Sequence, residues 1–246
     1  MRILVCFSYD GSNFYGMQMQ PDLRTVEGEF RKALKIINKK ETPFIFASRT
    51  DKGVHAKRAY AHFDIDIDIP VNNLKRALNS LLPKDIYVKS IKKVSNEFHA
   101  RYNKAFKTYK YYLDMGEYNP FRRNYITYYH YKIDINIIKK NIKKLIGEHN
   151  FYYFASPSEV KNSYIRTIKK ANLKVDGKLL TFTFTGDGFH KYMVRNMVGT
   201  LLKLGRGLIT EEEFDSLLTK DSSFNYVFTA PPEGLYLENI KYIENC

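Results

Sequence analysis

Apolar residues recur at helical spacing in some segments of this 246-residue chain and at alternate positions in others, and the two kinds follow one another irregularly, with turn signals between them. A regular strand-helix alternation would point to a parallel, doubly wound sheet. The irregular order with hairpin signals predicts a mostly antiparallel α+β fold instead. Arg2 to Tyr9 reads as a buried first strand and Asp10-Gly11-Ser12-Asn13 as a turn. Thr25 is placed to cap a helix whose apolar stripe is Val26, Phe30, Ala33, Leu34 and Ile37. Phe44 to Ala47 reads as a short strand, and the unbroken alternation from Phe63 to Ile69 predicts another with one wet face. Asn72 is expected to cap a helix carrying Leu74, Leu78, Leu81 and Leu82 and stopped by Pro83, with a strand at Ile86 to Ile91 after it.

The second half repeats the mixture. A strand is expected at Lys104 to Leu113, and a basic helix at Asp134 to Ile146, capped by Asp134 and ended by Gly147. Strands flank the Asp176-Gly177 turn, a helix spans Tyr192 to Leu204, and Thr210 with Glu213 has capping-box spacing. No linker rich in Pro, Gly or Ser interrupts the chain; if it forms two domains, residues 1–103 and 104–246, the boundary lies near Arg101 to Lys104 and the halves share a tight interface.

A chain with 44% apolar and 15% aromatic residues has the means to build a packed core. It holds no apolar run of membrane-spanning length, and Met1 to Cys6 meets Ser8-Tyr9-Asp10 too soon for a secretory leader, so no membrane association and a cytoplasmic setting are expected. Cys6 and Cys246 lie near opposite ends without metal-ligand spacing, which argues against a disulfide scaffold and a structural zinc site. Forty Lys and Arg against 26 Asp and Glu leave a formal charge of +14. Such an excess suits a polyanionic partner, most simply nucleic acid, although lysines also serve to solubilise a surface.

Two apparent motifs carry nothing. Asp64, Asp66 and Asp68 are what the solvated side of an alternating strand shows, and Gly205-Arg206-Gly207 lacks the Gly-Lys-Ser/Thr of a phosphate loop. Ser48-Arg49-Thr50-Asp51-Lys52-Gly53-Val54-His55-Ala56 differs in kind, because a strand delivers a carboxylate into a loop between two cations. From residue types alone an ordinary Asp-Lys-Gly turn is the simpler reading. A catalytic carboxylate enclosed with a base would need more: burial raises an Asp pKa by up to ~3–5 units, and a nearby Arg lowers it by ~1–3. Arg49 and Arg195 are the candidate partners, the latter because it opens an otherwise apolar helix. Lys107-Thr108-Tyr109-Lys110-Tyr111-Tyr112 interleaves cations with rings, a pattern that suits RNA as well as it suits a strand.

Taken together, these segments resemble the TruA family of tRNA pseudouridine synthases. The resemblance rests on Arg49-Thr50-Asp51 with Gly53-Val54-His55-Ala56; on Tyr9-Asp10-Gly11 with Phe14, Gly16, Gln18 and Gln20; on Thr25-Val26-Glu27; on Leu78-Asn79 with Leu82-Pro83; and on Phe98-His99-Ala100-Arg101. It continues through Tyr109-Lys110-Tyr111, His149 with Phe151, Arg166-Thr167-Ile168, Met193 to Gly199, and Gly234-Leu235-Tyr236-Leu237.

The resemblance implies two similar halves whose sheets join into one central sheet flanked by helices, with a basic RNA-binding cleft. It also implies a homodimer that binds tRNA rather than DNA, isomerises uridine at positions 38, 39 and 40 of the anticodon arm, and needs neither cofactor nor metal. By the same resemblance Asp51 is the nucleophile, Arg49 helps turn the uridine out, Arg195 pairs with Asp51, Tyr109 packs on the flipped base, and Leu235 walls the pocket. Lys52 and His55, in the same motif, are expected to contact substrate. The chain departs from the family pattern at Ser48 (commonly Gly), Lys52 (Ala), Met17 (Trp), Tyr152-Tyr153 (Ser-Ser) and Phe189-His190-Lys191-Tyr192. These changes bear on which RNA fits, so the same isomerisation on ribosomal RNA, and a non-catalytic RNA-binding module, stand as alternatives.

Overall fold

A computed structural model describes residues 1–156, 163–219 and 227–243, and Cys246 lies outside them. The chain forms two compact units, residues 1–105 with the segment from Tyr236 onward, and residues 106–235. Both mix helices with largely antiparallel strands, so the expected α+β class holds.

In the first unit β1 (Arg2–Tyr9) runs antiparallel to β3 (His55–Asp64) on one side and β4 (Ile86–Lys93) on the other, and a short β2 (Ile45–Phe46) pairs with β3. Alternation sends Ile3, Val5 and Phe7 to one face, where all three are fully buried. Helix α1 (Val26–Asn38) brings Phe30 and Leu34 to the core. The Phe30 ring lies edge-on to Phe7 at 4.7 Å and stacks on Phe44 at 4.3 Å. Each such side chain contributes roughly 1.5–3 kcal/mol by leaving water. The Thr25 hydroxyl accepts the Gly28 N–H at 3.2 Å, as the spacing predicts, and Lys39 ends the helix in the left-handed region.

Two expectations for this unit fail. Helix α2 (Val71–Leu81) follows Pro70 with no side-chain cap; Asn72 lies inside it and Leu81 is exposed. Pro70 takes the N-cap position, where its carbonyl accepts the Asn73 and Leu74 N–H groups at 2.9 and 3.0 Å, so the helix starts before Asn72 can cap it. Asn79 does the anchoring, exchanging two hydrogen bonds with the backbone of Val88. The alternating run Phe63 to Ile69 leaves the sheet after Asp64, because β1 begins opposite it at Arg2 and only Met1, which exchanges backbone bonds with Ile65, extends the pairing. Ile65 stays buried through its N–H bond to the Met1 carbonyl.

The second unit is ordered β5 (Ala105–Asp114), β9 (Leu179–Gly186), β8 (Ile165–Asp176) and β7 (Gly147–Asn150), all antiparallel neighbours, with β6 (Thr127–Tyr128) added in parallel to β5. The basic helix is shorter than its apolar stripe suggests: α3 (Ile135–Asn141), capped by Asp134, tightens into a 3₁₀ turn at Ile142–Leu145, and Gly147 at φ 116° opens β7. Helix α4 (Met193–Gly205) is buried along most of its length, and α5 (Glu211–Ser216) carries the expected capping box of Thr210 and Glu213.

The last strand is β10 (Leu235–Tyr242). It runs parallel to β3, with Tyr236 opposite His55 and Leu237 opposite Ala56, and the segment from Tyr236 onward groups with the first unit. Among the described residues no helix is long and apolar enough to cross a membrane.

Candidate active site

In the first unit the segment from Asp10 to Gln20 is wrapped against the Arg49–Val54 loop by backbone contacts. The Met17 N–H donates to the Thr50 carbonyl at 3.2 Å and the Gly53 N–H to the Phe14 carbonyl at 3.3 Å. The loop closes on itself through the Val54 N–H and the Asp51 carbonyl at 3.2 Å. Phe14 and Met17 are buried beneath it, and the hydroxyls of Tyr9 and Thr50 share a buried hydrogen bond of 2.7 Å. Glu27, in the first turn of α1, accepts the Met19 N–H at 2.8 Å and so ties the wrapping segment to the helix.

Two glycines are required by this close approach. A Cβ on Gly11 would lie 2.1 Å from the Val54 carbonyl oxygen, and one on Gly16, itself at φ 98°, 2.8 Å from that of Thr50. Gly11→Ala is expected to cost about 1–3 kcal/mol, the usual range for forced overpacking. Thermal melting checks the stability loss, and turnover should fall as well because the displaced backbone belongs to the Asp51 loop; unchanged turnover would contradict that coupling.

Asp51 sits half-buried at the turn between this clamp and β3. Arg49 is exposed, its guanidinium 3.5 Å from Gln18 Oε1, and the Lys52 ammonium lies 4.0 Å above the Tyr15 ring. The side chain of His55 is 2% exposed, its Nδ1 accepts the Gly11 N–H at 3.0 Å, and its ring stacks on Tyr236 at 4.6 Å, contacts that tie it to the loop.

In the second unit Tyr109 points into the sheet opposite Phe184, buried, with the Phe189 ring edge-on at 5.1 Å. Two residues on, the Tyr111 hydroxyl bonds to Thr127 at 2.7 Å and to the Pro231 carbonyl at 3.0 Å; burial is the main reason its phenol pKa is pushed up, so it stays protonated. Tyr192 enters α4 in the left-handed region, and half-buried Arg195 follows in the first turn, its guanidinium 5.0 Å above the Tyr192 ring. Arg195 Nε donates to the Ala230 carbonyl at 2.7 Å, and the Ala230 N–H returns a bond to the Arg195 carbonyl at 3.0 Å. Leu235, buried, ends this segment, where Gly234 fits so closely that a Cβ would meet the Tyr112 carbonyl at 2.6 Å.

The expected residues thus fall into two groups. Arg49, Asp51, Lys52 and His55 lie on one clamped loop, while the strap from Ala230 to Leu235 is bonded by Arg195, Tyr111 and Tyr112, and Tyr109 lies two residues before Tyr111 on β5. The sequence reading overlooked the Tyr9–Thr50 bond and the strap itself. Pro231-Pro232 was the available signal for the strap, since consecutive prolines stiffen a connection and exclude it from a ladder.

A model of the family described as tRNA pseudouridine synthase matches residues 5–103 and 142–243 of the chain. A protein of Streptococcus pneumoniae (strain Taiwan19F-14) named tRNA pseudouridine synthase A is 42% identical over 247 residues, 99% of either chain. Proteins of that name from Streptococcus mutans serotype c and Limosilactobacillus reuteri (strain DSM 20016) are 42% and 40% identical, covering 98% and 99% of this chain and 99% and 98% of their own.

Proposed function

This chain belongs to the tRNA pseudouridine synthase family and isomerises uridine in tRNA, and from that premise we propose that it acts on the anticodon arm, at positions 38, 39 and 40, with Asp51 as nucleophile. The observation that carries the assignment of Asp51 is the loop around it: a carboxylate at a turn whose backbone is gripped by Thr50, Gly53 and Val54 is a preorganised group.

In the reaction the bond from N1 of uracil to C1′ of the ribose breaks, the base turns, and C5 bonds to C1′; the proton lost from C5 is balanced by the one gained at N1. A transient bond to the carboxylate divides this substitution into two easier steps. The target lies in stacked RNA, so extrusion of the nucleoside, at a cost of a few kcal/mol, precedes the chemistry. Arg49, exposed beside the loop, assists extrusion and Lys52 contacts the backbone. Arg195 keeps the carboxylate anionic, Tyr109 packs on the base, and Leu235 gives the pocket an apolar wall. The working form is a homodimer in the cytoplasm, holding tRNA on its basic surface.

Carbodiimide mapping of pseudouridine in RNA from cells lacking the protein tests this reading. Loss confined to tRNA positions 38 to 40 is expected. Loss from ribosomal RNA with the anticodon arm intact would overturn the choice of target.

A further inference from the structure

The segment that wraps the Asp51 loop does so in a definite register. The Gly53 N–H bonds to the Phe14 carbonyl and the Met17 N–H to the Thr50 carbonyl. Between these two bonds Tyr15 is brought level with Lys52 and Gly16 with Asp51, and Gln18, one residue beyond, falls beside Arg49. Side-chain contacts follow the same register. The Lys52 ammonium lies 4.0 Å from the centre of the Tyr15 ring, and Arg49 Nη1 lies 3.5 Å from Gln18 Oε1. Level with the carboxylate stands a glycine that brings no side chain, while each flanking cation rests on a residue of the wrapping segment.

Tyr15 is 41% exposed, yet its backbone is anchored. Its N–H donates to the Arg24 carbonyl and its own carbonyl accepts Gln20 Nε2, both at 2.9 Å. Arg24 is clamped in turn, its guanidinium bidentate to Asp85 at 2.7 and 2.9 Å and 4.1 Å above the Phe14 ring. An exposed ring on an anchored backbone is a fixed mount. Lysine carries its charge on a flexible four-carbon stem and loses rotamer freedom when it engages an anion. A ring face that already holds the ammonium removes part of that cost before the anion arrives. The ring attracts the cation without neutralising it, so the full charge remains for a ligand.

We propose that Tyr15 is a positioning residue for the isomerisation: its ring holds the Lys52 ammonium ready for a backbone phosphate of the nucleotide being turned out. The inference deepens the reading of Asp51 as nucleophile and rests on it. Lys52 follows Asp51 directly, their Cα atoms about 3.8 Å apart. The nucleoside that reacts with the carboxylate carries its own phosphates on the same ribose, so a cation one residue from the nucleophile meets those phosphates rather than a remote part of the RNA. Contacts made beside the reacting base, and not to it, offset the cost of extrusion.

The test is a mutant cycle in the full chain: Tyr15→Leu, Tyr15→Phe, Lys52→Ala and the double variant Tyr15→Leu/Lys52→Ala, assayed on a tRNA transcript. Lys52→Ala is expected to raise KM about five- to tenfold and to make the slope of log Kd against log salt shallower by ~0.7–0.9, one phosphate's worth. Tyr15→Leu should raise KM about threefold, the population ratio that an exposed cation–π contact maintains, with KM rising by more than kcat falls. Tyr15→Phe keeps the ring face and recovers most of that loss, and the double variant is no worse than Lys52→Ala alone. A further loss in the double variant would assign the ring to stacking on a base and overturn the proposal. Equal defects in Tyr15→Phe and Tyr15→Leu, or an unchanged KM in Tyr15→Leu, overturn it as well, the latter also when kcat falls in step with melting temperature. Failure of the nucleophile reading shows itself separately, as turnover by Asp51→Asn.

Discussion

Asp51→Asn is expected to abolish pseudouridine formation, by a factor of at least about 10⁴, while binding of tRNA changes little. The magnitude is that of removing the group that makes the covalent bond, for which no other side chain substitutes. The amide has nearly the volume of the carboxylate and leaves untouched the backbone bonds that shape the turn, those of Thr50, Gly53 and the Asp51 carbonyl. A change confined to chemistry is therefore expected. Single-turnover assays with tritium at C5 of uracil read it directly, because the exchange of that hydrogen reports isomerisation, and filter binding reads affinity. Product at more than about a hundredth of the parental rate would remove Asp51 from the mechanism and leave the loop as an ordinary turn.

Arg195→Met should slow turnover by about 10²–10³, the range seen when one well-placed electrostatic partner is lost from an active site. Here a structural component must be separated from a catalytic one. Arg195 Nε holds the Ala230 carbonyl at 2.7 Å, and its guanidinium covers the Tyr192 ring. Losing that hydrogen bond costs about 1–3 kcal/mol, which lowers the melting temperature by several degrees without unfolding the chain at 25 °C. Arg195→Lys keeps a positive charge but not the planar fork. If charge is what Asp51 requires, the Lys variant recovers part of the rate and its pH profile stays close to the parental one, whereas the Met variant loses activity over the whole range. Equal rates in the two variants, tracking only the drop in melting temperature, would make Arg195 a strut for the strap.

The strands and helices were legible where one physical cause determines them. The apolar run from Arg2 to Tyr9, the Thr25 cap and the Thr210–Glu213 capping box are decided locally, and their positions follow from residue type. Asp134 likewise marks the start of its helix, but nothing in the sequence shows where α-helical winding gives way to the tighter turn at Ile142. The run Phe63 to Ile69 is the instructive miss. Its alternation is real, and Ile65 is still buried, but a strand needs a neighbour, and the available one begins only at Arg2. Pairing partners are non-local, and periodicity is silent about them. The same limit applies to the site. Residue types singled out Asp51 as a candidate without choosing between turn and catalyst; what strengthens the second reading is the grip of residues 10 to 20, a contact between distant stretches of backbone. For His55 the motif suggests contact with substrate, while its burial and its bond to the Gly11 N–H, which the motif does not announce, come from the fold.

The parallel pairing of β10 with β3 has a consequence for how the protein is made. Tyr236 pairs beside His55 from about 180 residues further along the chain. A ribosome adding about 5–20 residues per second takes roughly 10–40 s to cover that distance. Throughout that interval the emerging polypeptide presents an unsatisfied edge beside the His55 end of β3, a surface open to adventitious strand addition. Synthesis under conditions of slow elongation or chaperone shortage should therefore penalise yield of soluble enzyme more than it penalises the stability of molecules already complete.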